Sequence, residues 1–299
     1  MSTESAVITP SELELFNNLA NAIQDEAKKA NALALLERMA TCIEGVGDRP
    51  ITWLPTQIKI LQNMSNMDNI SADDPRAVTA GAIVANNFVL PQGIKVIPLM
   101  FWNGRSLWDP DPNNSRKLCS SPDSKIGWAH GSCYECAFSK APDGEQIPPC
   151  SKEFVFLVIA EDLSDIYRVT FAKSQYRNGM DWSKEVIASR THPHKRIYSL
   201  VTEASEKKKT IKVLKAKMED VRTANFTPDV MAFLDAMSKK QLADRKNYLE
   251  DYHNYVNKRI AMVNAEAGER ALPNESVQEY LPKPDEGGAS DSGIPNYDL

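Results

Sequence analysis

Four of the five cysteines fall between positions 119 and 150, as Cys119, Cys133, Cys136 and Cys150. The middle two form a CxxC knuckle in Gly131-Ser132-Cys133-Tyr134-Glu135-Cys136, and thirteen residues separate it from each outer cysteine. A CxxC turn aims two sulfurs at one point, and flanking loops can return one sulfur each. Four thiolates at about 2.3 Å close a tetrahedral zinc site with no position left for a substrate. The expected group is therefore a structural Zn2+ ion that does no chemistry. Two other readings of the thiols stay open, reduced or redox-active cysteines and disulfides. His130, just ahead of Cys133, is an alternative ligand. Disulfides fit less well, because Met1-Ser2-Thr3-Glu4-Ser5 lacks the basic start and apolar core of a secretory signal. Cys42 stands in a helical pattern and reads as a small buried hydrophobe.

Catalysis needs a convergent nucleophile, base and stabiliser. The four histidines stand at 130, 192, 194 and 253, none beside a recognisable nucleophile signature. There is no phosphate loop, Gly-rich dinucleotide turn or HExxH pair. The pattern predicts a protein that is not an enzyme.

Aromatic residues mixed with basic ones point to a different chemistry. Single-strand binders combine cations that follow phosphates with aromatic faces on which bases stack, each stacked base being worth roughly 1–3 kcal/mol. Trp102, Trp108, Trp128 and Tyr176 are the candidate stacking residues. Arg105, Lys140, Lys173, Arg177, Lys195, Arg196 and Lys208 are the candidate phosphate contacts. Trp53, Trp182, Phe154 and Phe156 read instead as core, and Lys207–Lys209 also fit a solvated hairpin tip.

The charge is unevenly placed. Residues 271–299 hold six acids against Lys283, which accounts for the whole net charge of −5. Between Lys173 and Lys217 there are twelve basic residues against Asp181, Glu185, Glu203 and Glu206. A basic middle followed by an acidic tail suits a polyanion partner, with the tail competing for the same cations. The tail's end, with Ile294, Tyr297 and Leu299, has the form of a hook that docks on a partner protein such as a DNA or RNA polymerase.

These residues need a scaffold. Thr9 or Ser11 caps a helical pair through about Met39, and Thr227-Pro228-Asp229 caps a second helical segment to about Ala267. Between them the pattern is β: Ile94–Trp102, Glu153–Ala160, Ile166–Ala172, Ile197–Ala204 and Thr210–Met218, with one helix near Ser174–Ser189. The expected class is α+β, a small Greek-key barrel of the OB type with a four-cysteine zinc loop, flanked by helices and a disordered acidic tail. The segments expected are 1–50 helical, 51–222 zinc-containing β, 223–270 helical and 271–299 tail. The cysteine window reads as a long connection ordered by metal. No apolar run is long enough for a membrane span.

Residues from about Trp53 to Ile187 resemble a family of tailed-bacteriophage proteins regarded as single-stranded-DNA-binding proteins of replication or transcription. The carrying residues are Leu54-Pro55-Thr56-Gln57-Ile58-Lys59-Ile60-Leu61-Gln62 with Ser65, then Gly93-Ile94-Lys95-Val96-Ile97-Pro98-Leu99. Leu118-Cys119-Ser120-Ser121-Pro122-Asp123 with Gly127, the Cys133/Cys136 knuckle and Pro148-Pro149-Cys150 follow. The chain departs at Ala137, where the family has proline. The resemblance implies a phage accessory protein with a zinc-stapled β domain, and the matching expectations are single-stranded-DNA binding in the cytoplasm of an infected bacterium. Cooperative self-association on the strand is a further partner expectation. The runner-up expectation is a non-catalytic interaction or scaffold protein of a phage transcription complex or virion.

Overall fold

The computed structural model describes residues 8–40, 55–62, 70–72, 78–111, 116–143, 148–188, 192–205, 209–219 and 226–269, the last with side chains to 263. Cys42, Trp53, Lys208 and the acidic tail with Ile294, Tyr297 and Leu299 lie outside the described residues.

Thr9, rather than Ser11, caps α1 (Pro10–Ala22). Its hydroxyl accepts from the Glu12 N–H while its own N–H donates to the Glu12 carboxylate, so two otherwise unpaired donors are satisfied reciprocally. Asp25 then accepts from the Ala27 and Lys28 N–H groups and opens α2 (Glu26–Ala40).

The strands form one nine-stranded mixed sheet, curled into a half-barrel. They are β1 (Thr56–Ile60), β2 (Ile83–Ala85), β3 (Phe88–Leu90), β4 (Ile94–Trp108), β5 (Lys117–Ser121), β8 (Cys150–Ala160), β9 (Ile166–Ala172), β10 (Tyr198–Ala204) and β11 (Lys212–Met218). A separate two-stranded ribbon, β6 (Ile126–Gly127) with β7 (Gly131–Ser132), lies inside the cysteine window. The order is β11-β10-β4-β8-β9-β1-β2-β3, with β5 on the far half of β4. Among the named strands of the described residues, only β1 and β9 pair in parallel. All five strands expected from the pattern are present, and β4 runs six residues past Trp102. The cysteine window is not one long connection, because it carries β5, β6 and β7. Pro98 has no N–H for the ladder, and the β4–β8 register shifts between Pro98 and Met100.

Alternation along β8 divides the interior. Phe154, Phe156, Val158 and Ala160 face one core, and Leu157 and Ile159 face the other. The first core is plugged by α3 (Tyr176–Ala188), whose Trp182 stacks on Phe156 at 3.9 Å between centroids. Gly179 allows this approach, since a Cβ there would sit 2.7 Å from Phe171 and 2.8 Å from Phe154. The second core gathers Phe16, Leu35 and Leu36 of α1 and α2 with Phe233 and Leu234 of α4 (Pro228–Glu269). Side chains bridge the ends of the curl: Gln62 donates to the Lys212 carbonyl at 2.8 Å and accepts from its N–H at 3.0 Å, and Thr202 donates to the Gly81 carbonyl. Among the described residues no helix is long and apolar enough to cross a membrane.

Candidate metal centre and nucleic-acid surface

The far half of β4 is flanked by β5 on one side and β8 on the other, and Leu107 is paired with Cys119 and Cys150 at once. Residues directly opposite in antiparallel strands point to the same face. The two outer cysteines of the sequence motif are therefore delivered to one surface by sheet register, with Leu107 between them. The knuckle comes from above. Gly131, at φ +69°, turns the chain into β7, the Cys133 N–H donates to the Lys125 carbonyl, and the Cys136 N–H donates to the Ser132 carbonyl. All four cysteines, unpaired with one another, line a single cavity of about 10 Å³. That is room for one atom-sized guest and nothing larger. Gly127 forms part of the wall: a Cβ there would meet the Cys119 sulfur at 2.8 Å.

The electrostatics of the cavity oppose each other. Burial pushes the thiols of Cys119, Cys133 and Cys150 up, Cys150 to about 11, and the neighbouring sulfurs push them further. Against this, the backbone N–H groups of Ala129, His130 and Ser120 near the Cys119 sulfur work to lower its pKa. The Ser121 hydroxyl reaches Cys133, and the Arg105 guanidinium lies against Cys150. Donors aimed at sulfur favour the thiolate, the form that binds metal. Among the described residues no group of three or more His, Cys, Asp or Glu stands tightly enough to hold a metal ion as placed. The donor set nonetheless fits a soft divalent cation: four converging sulfurs, amide donors on one of them, and a cavity of atomic size. His130, the alternative ligand, also lines the cavity, with its ring 4.9 Å from Phe138.

The long helix α4 holds this loop down. Tyr252 donates its hydroxyl to the carbonyl of Ser120 at 2.8 Å and lies 3.2 Å from that of Ile126. His253 meets Asp123 at 2.9 Å, and Arg245 donates to the Pro122 carbonyl at 2.6 Å. Burial works to raise the Asp123 carboxyl, but the Lys125 N–H, the Ser121 hydroxyl and His253 together bring it below the usual range.

The candidate nucleic-acid residues separate into groups. Trp108 and Trp128 are half-buried near the cysteine cavity, Trp108 with Lys117 at 4.9 Å from its ring and Trp128 with Arg259 at 5.0 Å. Lys140 is exposed just after the knuckle. Trp102 is half-buried against the helical core with Arg245 over its ring, and Arg105 lines the cavity itself. Tyr176 packs on Phe154 at 4.9 Å, at the start of α3 beside exposed Lys173 and Arg177. Register puts Lys173 at the cysteine end of the sheet, since Ala172 pairs with Glu153. Lys195 and Arg196 stand at the other end. Tyr198 pairs with Val96, eleven residues along β4 from Leu107, a span of about 35 Å. Arg196 is engaged there with the Met218 sulfur.

Sequence reasoning missed Lys117, Arg245 and Arg259 as the cations over the tryptophans, and Asp123, Tyr252 and His253 as the clamp. The one usable signal was Tyr248, Tyr252 and Tyr255 recurring among charged residues in the second half of α4. Comparison of the chain with family models, curated proteins and solved structures gave no match.

Proposed function

We propose that this protein binds single-stranded DNA with little sequence preference, on the surface around a zinc-holding cysteine loop. The observation that carries the reading is the set of cation–indole pairs there, Lys117 on Trp108 and Arg259 on Trp128. Each pair offers a π face for a base beside a cation for its phosphate, the two requirements of sequence-tolerant single-strand binding. Exposed Lys125, Lys140 and Lys152 lie on the same loop and its supporting strand. Cys119, Cys133, Cys136 and Cys150 would hold the ion, whose contribution is to order the loop. The OB-like, Greek-key description of the sheet belongs to this proposal, and the Gln62 and Thr202 bridges across the curl support it. The resemblance to tailed-phage proteins supports a role in phage replication or transcription, inside the infected host.

Titration of oligo(dT) beside a duplex of equal length tests the proposal. Preferential single-strand binding that weakens steeply with salt is the expected result. Equal or absent binding overturns it. That outcome would favour a protein-interaction role, for which exposed Met262 and Val263 near the end of α4 are the motivating observation.

A further inference from the structure

Arg105 was expected to contact phosphate, yet its surroundings are sulfur. It leaves β4 two residues before Leu107, opposite Ser121 of β5 and Lys152 of β8, and its guanidinium lines the cavity of the four cysteines. Its Nη1 is fully shielded from solvent and has no hydrogen-bond partner. Among the described residues of the cavity wall, Arg105 carries the one permanent charge, and there is no carboxylate. A guanidinium keeps its proton in a protein. Its charge and its unpaired N–H therefore call for an anionic acceptor, and the sulfurs are what it faces.

We propose that Arg105 is the charge partner of the metal centre, donating to the Cys150 sulfur and offsetting part of the dianionic charge of a four-thiolate zinc site. This rests on the zinc reading above. Four thiolates and Zn2+ carry a net charge of −2, costly in a buried site, and one guanidinium halves it. A hydrogen bond from a charged donor to a ligand atom also fixes that ligand's orientation. Arg105 is thus a positioning residue for the metal and not a contact for DNA.

The test uses the full chain, purified without chelator, in wild-type, Arg105→Gln and Arg105→Lys forms. Zinc content is measured, then zinc affinity by competition with a chromogenic chelator, then oligo(dT) affinity at saturating zinc. The expected result is about one zinc per wild-type chain and a zinc affinity about 10–100-fold weaker in Arg105→Gln. Arg105→Lys, which keeps the charge and loses the planar fork, should fall between them. Oligo(dT) affinity at saturating zinc should stay unchanged. Equal zinc affinity in all three proteins overturns the assignment and leaves the zinc reading standing. Unchanged zinc affinity with weakened oligo(dT) binding returns Arg105 to the phosphate contacts. A wild-type chain that holds no metal overturns the zinc reading itself, and this assignment with it. If Arg105→Gln does not fold, Arg105→Lys carries the test: zinc affinity equal to wild type, with no change in the rate of zinc release, also overturns the assignment.

Discussion

The Arg245 guanidinium lies 3.9 Å from the centre of the Trp102 ring while the same side chain donates to the Pro122 carbonyl. One residue of α4 thereby joins the sheet to the cysteine loop. Trp102 is also packed against the helical core, so less of its ring is left for a base than at Trp108 or Trp128, whose cations stand 4.9 and 5.0 Å from the ring centres. Replacing Trp102 by Ala is expected to lower stability by less than the roughly 3–5 kcal/mol of a fully buried aromatic, since the ring is half-buried. Its effect on oligo(dT) affinity should be smaller than that of Trp108→Ala or Trp128→Ala, each expected to cost roughly 1–3 kcal/mol of binding. Urea denaturation and fluorescence titration of the three variants separate the two effects. Equal losses of affinity at all three would show that α4 moves aside to free Trp102.

The proposed zinc site predicts a sharp response at a residue that is not one of its four cysteines. A methyl group added at Gly127 would stand 2.8 Å from the Cys119 sulfur. Gly127→Ala is therefore expected to displace that sulfur and to lower the zinc content of purified protein well below one equivalent. Chelator treatment of the wild-type chain should reproduce the same loss of order, measured as faster proteolysis within residues 118–150. Full zinc retention by Gly127→Ala would mean that Cys119 is not a ligand.

Much of this arrangement was written in the periodicity. β8 alternates Phe154, Phe156 and Val158 with Leu157 and Ile159, and only a strand packed on both faces explains apolar residues at both parities. Thr9 with Glu12, and Pro228 with Asp229, mark helix starts that the structure contains. The continuation of β4 through Asn103-Gly104-Arg105-Ser106 was not legible, because those residues carry turn chemistry and are held extended by β5 and β8 instead. Nor could spacing alone reveal that Leu107 sits between Cys119 and Cys150, since register is a property of three strands together. The cation–indole pairs were hidden for the same reason. A helical pattern tells which residues of α4 share a face, and not that Arg245 and Arg259 meet Trp102 and Trp128.

The core under α3 makes a prediction independent of function. Gly179 brings α3 onto Phe154 and Phe171, and a Cβ there would meet Phe171 at 2.7 Å. Helix propensity alone would favour alanine by about 1 kcal/mol. Overpacking against two ring-bearing side chains opposes it at a typical cost of 1–3 kcal/mol, so Gly179→Ala is expected to be net destabilising. Chemical denaturation decides the sign.

Acid should loosen α4 at its N-terminal end. His194 is buried and meets Asp235 of α4 at 2.5 Å. Burial depresses its pKa, the Asp235 carboxylate opposes that, and nearby His192 and Lys195 depress it further; the balance lies below the ordinary histidine value. The unfolded chain then takes up the proton at a higher pH than the folded one. The stability from neutral His194 is present in full above about pH 6.5 and is lost as pH falls through the folded value. Urea midpoints measured from pH 8 to pH 5 should decline, and His194→Gln should flatten the decline while lowering stability at pH 8. An undiminished slope in the variant would assign the acid sensitivity elsewhere.

The acidic segment at the end of the chain should regulate binding through charge. Residues 272–299 carry six acids and one lysine, against the cations named above on the cysteine loop and at the start of α3. Acids tethered to the same chain compete with phosphates at a high effective concentration, whatever the sequence of the strand. Deleting residues 272–299 is therefore expected to tighten oligo(dT) binding several-fold in about 0.01 M salt, where the screening length is roughly 30 Å. The gain should shrink toward nothing at physiological ionic strength or above, where that length falls to about 8 Å or less. The same deletion, or Tyr297→Ala with Leu299→Ala, should abolish capture of a phage polymerase if Ile294, Tyr297 and Leu299 form a docking hook. The double substitution leaves the six acids in place, so it should spare the salt-dependent competition. Titrations of full-length, truncated and doubly substituted protein across a salt series distinguish the two roles. A truncated chain with unchanged low-salt affinity would remove the tail from the binding mechanism.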